Sequence, residues 1–150
     1  MGVRAFLDTN VLLRARIKSQ DLHQEATKML DTQLNNGTEL WISRQVIREF
    51  LVHITRPQSV SQPMTVLEAE AEINLLQSVF VVADETAAVT ARLLQLIKQY
   101  PTGGKQIHDA NIVATMSVNG IDTLLTQNIA DMKRFEKEII LIPLKAESST

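Results

Sequence analysis

The chain has 150 residues, of which 45% are hydrophobic and 21% are charged, with a formal net charge of −2. This composition is typical of a single globular domain. The absence of cysteine excludes disulfides, thiolate zinc sites and cysteine nucleophiles. There is no long apolar run and no secretory signal pattern, so we expect no membrane span and a cytoplasmic location. Because the net charge is slightly negative, binding of a polyanion would require a local basic patch or a bound cation.

The first half of the chain predicts two strands and three helices. Residues 3–7 form an apolar run of strand length, and the polar residues after them lead into a helix. Asp21 is a good N-cap for the next helix, which an Asn-Gly pair ends. Residues 39–42 predict the second strand, and Ser43 can cap a third helix that stops before a proline.

The second half of the chain continues the alternation of helices and strands. Thr65 followed by Glu68 predicts a capping box at the start of a helix, and residues 79–83 predict the third strand. Another helix follows and ends at a Pro-Thr-Gly-Gly break. The remaining predicted elements are a helix over residues 107–118, a strand over residues 123–125, a short helix over residues 128–135 and a strand over residues 139–142.

Strands of about five residues that alternate with helices imply an α/β fold. We expect a three-layer α/β/α sandwich with a central parallel sheet of about five strands, formed by one domain over residues 1–145 and followed by a polar tail over residues 146–150. In such sheets, ligands bind at the C-terminal ends of the strands. Asp8, Ser43 and Thr126 each follow a predicted strand, so these side chains should share one edge of the sheet.

Four acids lie on segments that are predicted to reach this edge. Asp8 follows the first strand, Glu49 borders the buried face of its helix, Asp109 opens an apolar helix, and Asp131 follows the fourth strand. Helix capping, worth ~0.5–1 kcal/mol, would explain Asp109 or Asp131 alone. Together, carboxylates ~4 Å apart repel by ~4 kcal/mol per pair at an effective dielectric of 20, so the cluster needs a cation or protons. Oxygen ligands without thiolates suit Mg²⁺ or Mn²⁺.

The order and spacing of these acidic segments resemble those of the PIN-domain nucleases, and in particular of the VapC-like toxins of bacterial toxin–antitoxin pairs. The resemblance rests on FLDTNVLL with Asp8, ISRQVIREFL with Glu49, IHDANIVATM with Asp109, and LLTQNIADMKRF after the fourth strand. It extends from residue 6 to about residue 142. Asp-Thr-Asn after a first strand is a weak signal alone, whereas the four acidic segments in this order are specific.

The resemblance implies a PIN-like fold and a metal-dependent endoribonuclease that leaves a 5′-phosphate and a 3′-hydroxyl. The catalytic and metal-binding acids of the family fall on Asp8, Glu49, Asp109 and Asp131. Its residues that position water or phosphate fall on Thr9, Asn10, Thr126 and Asn128. The family varies in the last segment, so Asp131 and Asn128 are alternatives for completing the site. Asp8 is expected to bridge two Mg²⁺ or Mn²⁺ ions ~3.5–4 Å apart.

Further predictions concern the partners of the protein. Candidate RNA contacts are Arg44, Arg48, Lys105 and His108, because basic groups beside a metal site can bind backbone phosphates, although most surface cations are only solvated. The resemblance also implies a homodimer and a cognate antitoxin that covers an apolar groove. The predicted helices over residues 22–34 and 66–76 carry apolar surface for such contacts. The sequence does not define the RNA target.

Two other functions are alternatives to a metal-dependent nuclease. A haloacid-dehalogenase-like phosphatase would use Asp8 as a nucleophile, but that family usually has Asp-x-Asp, and Asn10 takes the second position here. A PIN-like module that binds RNA or protein without turnover is the other alternative. The presence of all four acids argues against it.

Overall fold

A computed structural model describes residues 2–146 and contains a five-stranded sheet. Its strands are β1 (Arg4–Leu7), β2 (Glu39–Ser43), β3 (Val81–Ala83), β4 (Thr123–Thr126) and β5 (Ile140–Pro143). All neighbours pair in parallel, and their order is β3-β2-β1-β4-β5. Because β1 is central, the residues after it lie in the middle of the C-terminal edge of the sheet, where ligands bind in this class of fold.

Helices cover the sheet and complete the predicted α/β/α sandwich. They are α1 (Thr9–Arg16), α2 (His23–Asn35), α3 (Arg44–Ile54), α4 (Val66–Val79), α5 (Ala87–Gln99), α6 (Ile107–Val118) and α7 (Ile129–Met132), with short 3₁₀ turns at Gly104–Gln106 and Lys133–Phe135. Side chains of the central strands, such as Phe6, Ile42 and Leu124, are fully buried between these layers. Within residues 2–146, no helix is both long and apolar enough to cross a membrane.

Two of the predicted helix caps are confirmed. The Ser43 hydroxyl accepts a hydrogen bond from the Val46 amide at 3.3 Å. Thr65 and Glu68 form a reciprocal capping box, in which each side chain accepts from the backbone amide of the other. Local polar residues therefore fix where α3 and α4 begin, and α3 begins directly at the C-terminal edge of the sheet.

The predicted cap of α2 at Asp21 is wrong. The N-cap is Leu22, which has a left-handed backbone with φ of 60° and offers no capping side chain. The carbonyl of Asp21 instead accepts a hydrogen bond from Arg14 Nη1 at 3.0 Å. This contact holds Asp21 in the connection from α1, so the helix starts one residue later than capping chemistry alone predicts.

Two other boundaries also differ from the sequence prediction. β3 starts at Val81 and not at Val79, because α4 continues to Val79 and the Phe80 amide still donates to the Leu76 carbonyl at 2.9 Å. The short helix predicted over residues 128–135 is one turn of α-helix followed by a 3₁₀ turn. The predicted polar tail, apart from residue 146, lies outside the described residues.

Candidate active site at the C-terminal edge of the sheet

Asp8 lies where β1 ends and α1 begins, and its position is fixed by the backbone and by one side chain. Its amide donates to the Leu125 carbonyl at 3.0 Å. Its Oδ1 accepts from the Thr9 amide at 2.8 Å, and its Oδ2 accepts from the Thr126 hydroxyl at 2.7 Å. Asp8 is only 5% exposed, and this burial raises the pKa of its carboxyl, while the two hydrogen bonds oppose that change.

The side-chain hydroxyls of Thr126 and Thr9, which both lie near Asp8, differ in their hydrogen bonding. Thr126 is fully buried, and its hydroxyl both donates to Asp8 and accepts from the Asn128 amide at 2.9 Å. It therefore links the carboxylate to the start of α7. The buried hydroxyl of Thr9 makes no short, well-aligned hydrogen bond within the part of the chain that the structure describes, although it lies near enough to Glu49 to lower the pKa of that carboxyl. An unsatisfied buried hydroxyl is uncommon and is consistent with a group that binds a water or ligand.

Glu49 reaches this edge from α3, as its position beside the buried stripe of the helix predicts. Gln45, one turn earlier, donates from Nε2 to Glu49 Oε1 at 3.0 Å. Burial is the largest cause that raises the pKa of Glu49, and the negative charge of Asp8 raises it further. The hydrogen bond from Gln45 and the neighbouring Thr9 hydroxyl oppose the rise. Glu49 and Asp8 therefore interact electrostatically.

Asp109 lies in the first turn of α6 and interacts with the other three acids. Its pKa is raised to about 6, first by burial and then by the charges of Asp8, Asp131 and Glu49, while Arg134 opposes the rise. A helix N-terminus ordinarily favours the charged form of an aspartate. The raised pKa of Asp109 therefore reflects its desolvation and the negative charges of the other three predicted acids.

The family model for the PIN domain matches residues 5–138 of this chain. This chain belongs to the PIN domain family. The match selects the family that the acidic segments resemble, in preference to the haloacid-dehalogenase alternative. No individual curated protein matches the sequence.

Several solved structures share the fold of this PIN domain. VapBC2 from Rickettsia felis, bound to a fragment of promoter DNA, is 21% identical with a TM-score of 0.70, over 95% of this chain and 100% of that one. VapC20 from Mycobacterium tuberculosis, a toxin that cleaves the sarcin-ricin loop, is 18% identical with a TM-score of 0.62, over 80% and 86%. A toxin–antitoxin complex from Klebsiella pneumoniae is 21% identical with a TM-score of 0.65, over 94% and 98%. Identities this low establish a shared fold.

The acids of the PIN domain provide suitable oxygen ligands for a hard divalent cation, although their side chains lie too far apart to surround one. Carboxylate and hydroxyl oxygens are the ligands that Mg²⁺ and Mn²⁺ prefer. The charges of Asp8 and Glu49 both raise the pKa of Asp109, so a cation among them would relieve repulsion. Within residues 2–146, no three His, Cys, Asp or Glu side chains are arranged closely enough to hold a metal ion as they stand. The donor chemistry therefore fits, and the spacing of the side chains is wider than a loaded site requires.

Gln45 is a residue of this site that the sequence reasoning missed. It is 3% exposed, and its amide group hydrogen-bonds to Glu49 and to two positions in α6. The available signal was the four-residue spacing between Gln45 and Glu49, which places them on one helical face. The contacts with α6 could not be predicted, because they depend on how two distant helices meet.

Two of the candidate RNA contacts are arginines that already bind acids. Arg44 Nε lies 3.0 Å from Asp84 Oδ1. Arg48 contacts both carboxylate oxygens of Glu85, each at 3.1 Å. Both arginines are exposed on α3 beside the site, but an RNA phosphate would have to compete with these carboxylates for them.

The remaining predicted residues border the acidic cluster. Asn10, in the first turn of α1, and Asp131, in α7, are partly buried. Asn128 is partly buried, and its side chain does not cap α7. Lys105 and His108 are exposed, in the 3₁₀ turn before α6 and in its first turn. The charge of Asp131 contributes to the raised pKa of Asp109.

Proposed function

We propose that this PIN domain protein is a metal-dependent endoribonuclease that acts as the toxin of a type II toxin–antitoxin pair in the cytoplasm. The observation that carries the proposal is the raised pKa of Asp109, to which Asp8, Asp131 and Glu49 all contribute. Acids on four separate segments thus interact electrostatically, and Asp8 lies at the ligand-binding edge of the sheet. The description of VapC20 as a toxin that cleaves the sarcin-ricin loop supports RNA as the substrate class.

Each acid of the site has a proposed role in hydrolysis. Asp8, Glu49, Asp109 and Asp131 would hold Mg²⁺ or Mn²⁺, which would supply positive charge for the scissile phosphate and lower the pKa of a bound water. Asp8 presents a carboxylate whose orientation is fixed by the Thr9 amide and the Thr126 hydroxyl. Glu49, held at Oε1 by Gln45, keeps Oε2 for orienting the attacking water.

The uncharged residues of the site complete the proposed mechanism. The buried Thr9 hydroxyl, which makes no short, well-aligned hydrogen bond in the described residues and lies near Glu49, is suited to bind that water or a phosphate oxygen. Asn10 and Asn128 offer side-chain amides for phosphate oxygens. Lys105 and His108 are exposed at the start of α6, where they can contact the RNA backbone.

An apolar groove is the proposed binding site of the cognate antitoxin. The groove has a volume of about 170 Å³ and lies between α1, α2 and α4, away from the four acids. Leu34, Leu75 and Val79 line it and are 45%, 44% and 51% exposed. That several structural neighbours are toxin–antitoxin complexes supports such a partner. Val66 and Leu67, 81% and 78% exposed at the start of α4, are available for the homodimer that the resemblance implies.

The direct test is RNA cleavage by the parent protein and by Asp8→Asn. We expect Mg²⁺- or Mn²⁺-dependent cleavage by the parent, its loss in EDTA, and at least a ~100-fold loss in the variant. The variant should fold, because the oxygen of an asparagine can still accept from the Thr9 amide. Glu72→Gln is the control, since this acid pairs with Arg16 outside the cluster.

Two results would decide against the proposal. Undiminished cleavage by Asp8→Asn, or in the presence of EDTA, would remove the cation chemistry. A parent protein that binds RNA or an antitoxin but cleaves none of a broad set of RNAs would indicate the non-catalytic module.

A further inference from the structure

The side chain of Gln45 donates both of its amide hydrogens and accepts one hydrogen bond, although it is almost fully buried. Its Nε2 donates to Glu49 Oε1 at 3.0 Å and to the His108 carbonyl at 2.9 Å. Its Oε1 accepts from Asn111 Nδ2 at 2.7 Å. Because an amide nitrogen cannot accept the Asn111 donor, these partners define which end of the amide is which. The orientation of the group is therefore fixed.

These contacts connect two helices that each carry one acid of the proposed site. Glu49 is on α3, and Asp109 is on α6 between the two residues that Gln45 contacts, His108 and Asn111. Within residues 2–146, the hydrogen bonds that join α3 to α6 both involve Gln45. The backbones of the two helices approach each other closely at few positions. This amide therefore contributes to the spacing of the two helices at the site.

We propose that Gln45 is a positioning residue, which sets the separation of the Glu49 and Asp109 carboxylates and so the geometry of the cation site. The inference rests on the proposed function, because that function requires these acids to share a cation. Gln45 acts in two ways. It restrains Oε1 of Glu49, and it fixes the first turn of α6 through the carbonyl that directly precedes Asp109.

Electrostatics explains why such a restraint is needed. The like charges of Glu49 and Asp109 repel each other and would drive their helices or side chains apart when no cation is bound. A neutral amide can bridge a carboxylate and a carbonyl without adding charge to the site. Partners that orient ligand residues in this way are ordinarily worth 10–100-fold in metal affinity.

Two substitutions of Gln45 remove the restraint in different ways. Gln45→Glu keeps the acceptor for Asn111 but replaces both donations with repulsion from Glu49 and from the His108 carbonyl. Gln45→Met keeps the approximate shape and removes all three hydrogen bonds. Gln33→Glu is the matched control, because Gln33 is a partly buried glutamine of α2 whose oxygen accepts from the Thr38 hydroxyl away from the acids.

The first measurement is the dissociation constant of Mn²⁺ for the full chain, by calorimetry, with circular dichroism to verify folding. We expect about tenfold weaker binding in both Gln45 variants and less than a twofold change in Gln33→Glu. RNA cleavage by the Gln45 variants should recover as Mn²⁺ is raised, so that the half-saturating Mn²⁺ concentration changes more than the maximal rate. A role limited to general stability would lower the melting temperature without this recovery.

The second measurement needs no cation and keeps the inference separate from the proposed function. In metal-free crystal structures, the separation of the Glu49 and Asp109 carboxyl carbons should change by about 1 Å or more in Gln45→Met, a displacement sufficient to impair a site. If the parent binds no Mn²⁺, the proposed cation chemistry fails, and this separation alone decides the role of Gln45. Parent-like Mn²⁺ affinity in a folded Gln45 variant overturns the inference. If the parent binds no Mn²⁺, an unchanged separation of the Glu49 and Asp109 carboxyl carbons in Gln45→Met overturns it.

Discussion

Acidic side chains form ion pairs with arginines on one surface of this PIN domain. On another surface, acidic side chains interact with one another and have no such partners in the described residues. Beside α3 and α4, three acids pair with arginines: Glu72 with Arg16, Asp84 with Arg44, and Glu85 with Arg48. At the C-terminal edge of the sheet, the described residues place no Lys or Arg in an ion pair with Asp8, Glu49 or Asp109. Aspartate and glutamate side chains therefore have very different electrostatic surroundings on the two surfaces of this small domain.

The difference shows where the protein has unbalanced charge. Burial and neighbouring acids raise the pKa of Asp109 and of Glu49. Partly buried acids without counter-charges reduce the stability of the folded state. Acids with raised pKa values and no counter-charge are characteristic of a functional site, here one that would take its positive charge from a bound cation.

The largest expected difference between the two surfaces is in catalysis. We expect Glu49→Gln to lower RNA cleavage by about 100-fold or more, because glutamine carries no negative charge with which to bind a cation in the cluster. Glu72→Gln, on the arginine-paired surface, should change cleavage by less than twofold. Measured cleavage rates check this, and equal losses in both variants would break the distinction between the two groups of acids.

The next effect is stabilisation of the fold by cations. At pH 8 and an Mn²⁺ concentration about 100 times its dissociation constant, the free energy of unfolding should rise by about 2.7 kcal/mol. For a domain of this size, that corresponds to roughly 5–10 °C in melting temperature. Glu72→Gln should retain the gain, and Asp8→Asn should lose most of it. A similar gain in Asp8→Asn would locate Mn²⁺ away from the acidic cluster.

A smaller effect concerns the pH dependence of stability. The pKa of Asp109 is about 6 in the folded protein, above its ordinary value near 4, so the folded state holds the proton more tightly than the unfolded state. This contribution to stability is complete below about pH 4 and is lost as the pH rises through about 6. Without metal, Asp109→Asn should therefore be more stable than the parent above pH 6, and the two should converge below pH 4.

The size of that pH effect is limited by solvent. Asp109 is partly exposed, so that screening reduces the gain at pH 8 to about 1 kcal/mol. Denaturant unfolding at several pH values measures it. A gain that is constant between pH 4 and pH 8, or a loss at pH 8, would contradict the assignment of the shift to the ionised carboxylate.

The smallest expected effect is at the arginine-paired surface. Glu85→Gln should lower the free energy of unfolding by less than about 1 kcal/mol, because its ion pair with Arg48 is exposed. The loss should diminish further in high salt. A large, salt-independent loss in thermal unfolding would show that these pairs stabilise the fold more than exposed pairs ordinarily do.

Local sequence signals predicted the elements that depend on nearby residues. Ser43 and the Thr65–Glu68 pair mark helix starts through bonds that span three residues. The parallel sheet follows from short apolar runs that alternate with helices. Asp8 could be assigned to the ligand-binding edge of the sheet because it directly follows a strand.

Features that depend on distant contacts could not be predicted. Arg44 and Asp84 are 40 residues apart, and no spacing rule pairs them. The hydrogen bond from Gln45 to the His108 carbonyl spans 63 residues. The start of α2 at His23 depends on a left-handed backbone at its N-cap, Leu22, a residue type that rarely adopts one. Tertiary packing decides each of these features.

The central claim is that the four acids bind a divalent cation together, and anomalous diffraction from crystals soaked in Mn²⁺ tests it most directly. We predict a manganese peak at the C-terminal edge of the sheet, within ligand distance of Asp8 and of at least one of Glu49, Asp109 and Asp131. Saturating Mn²⁺ that gives no peak there, or only peaks at other acids such as Asp84, would contradict the account.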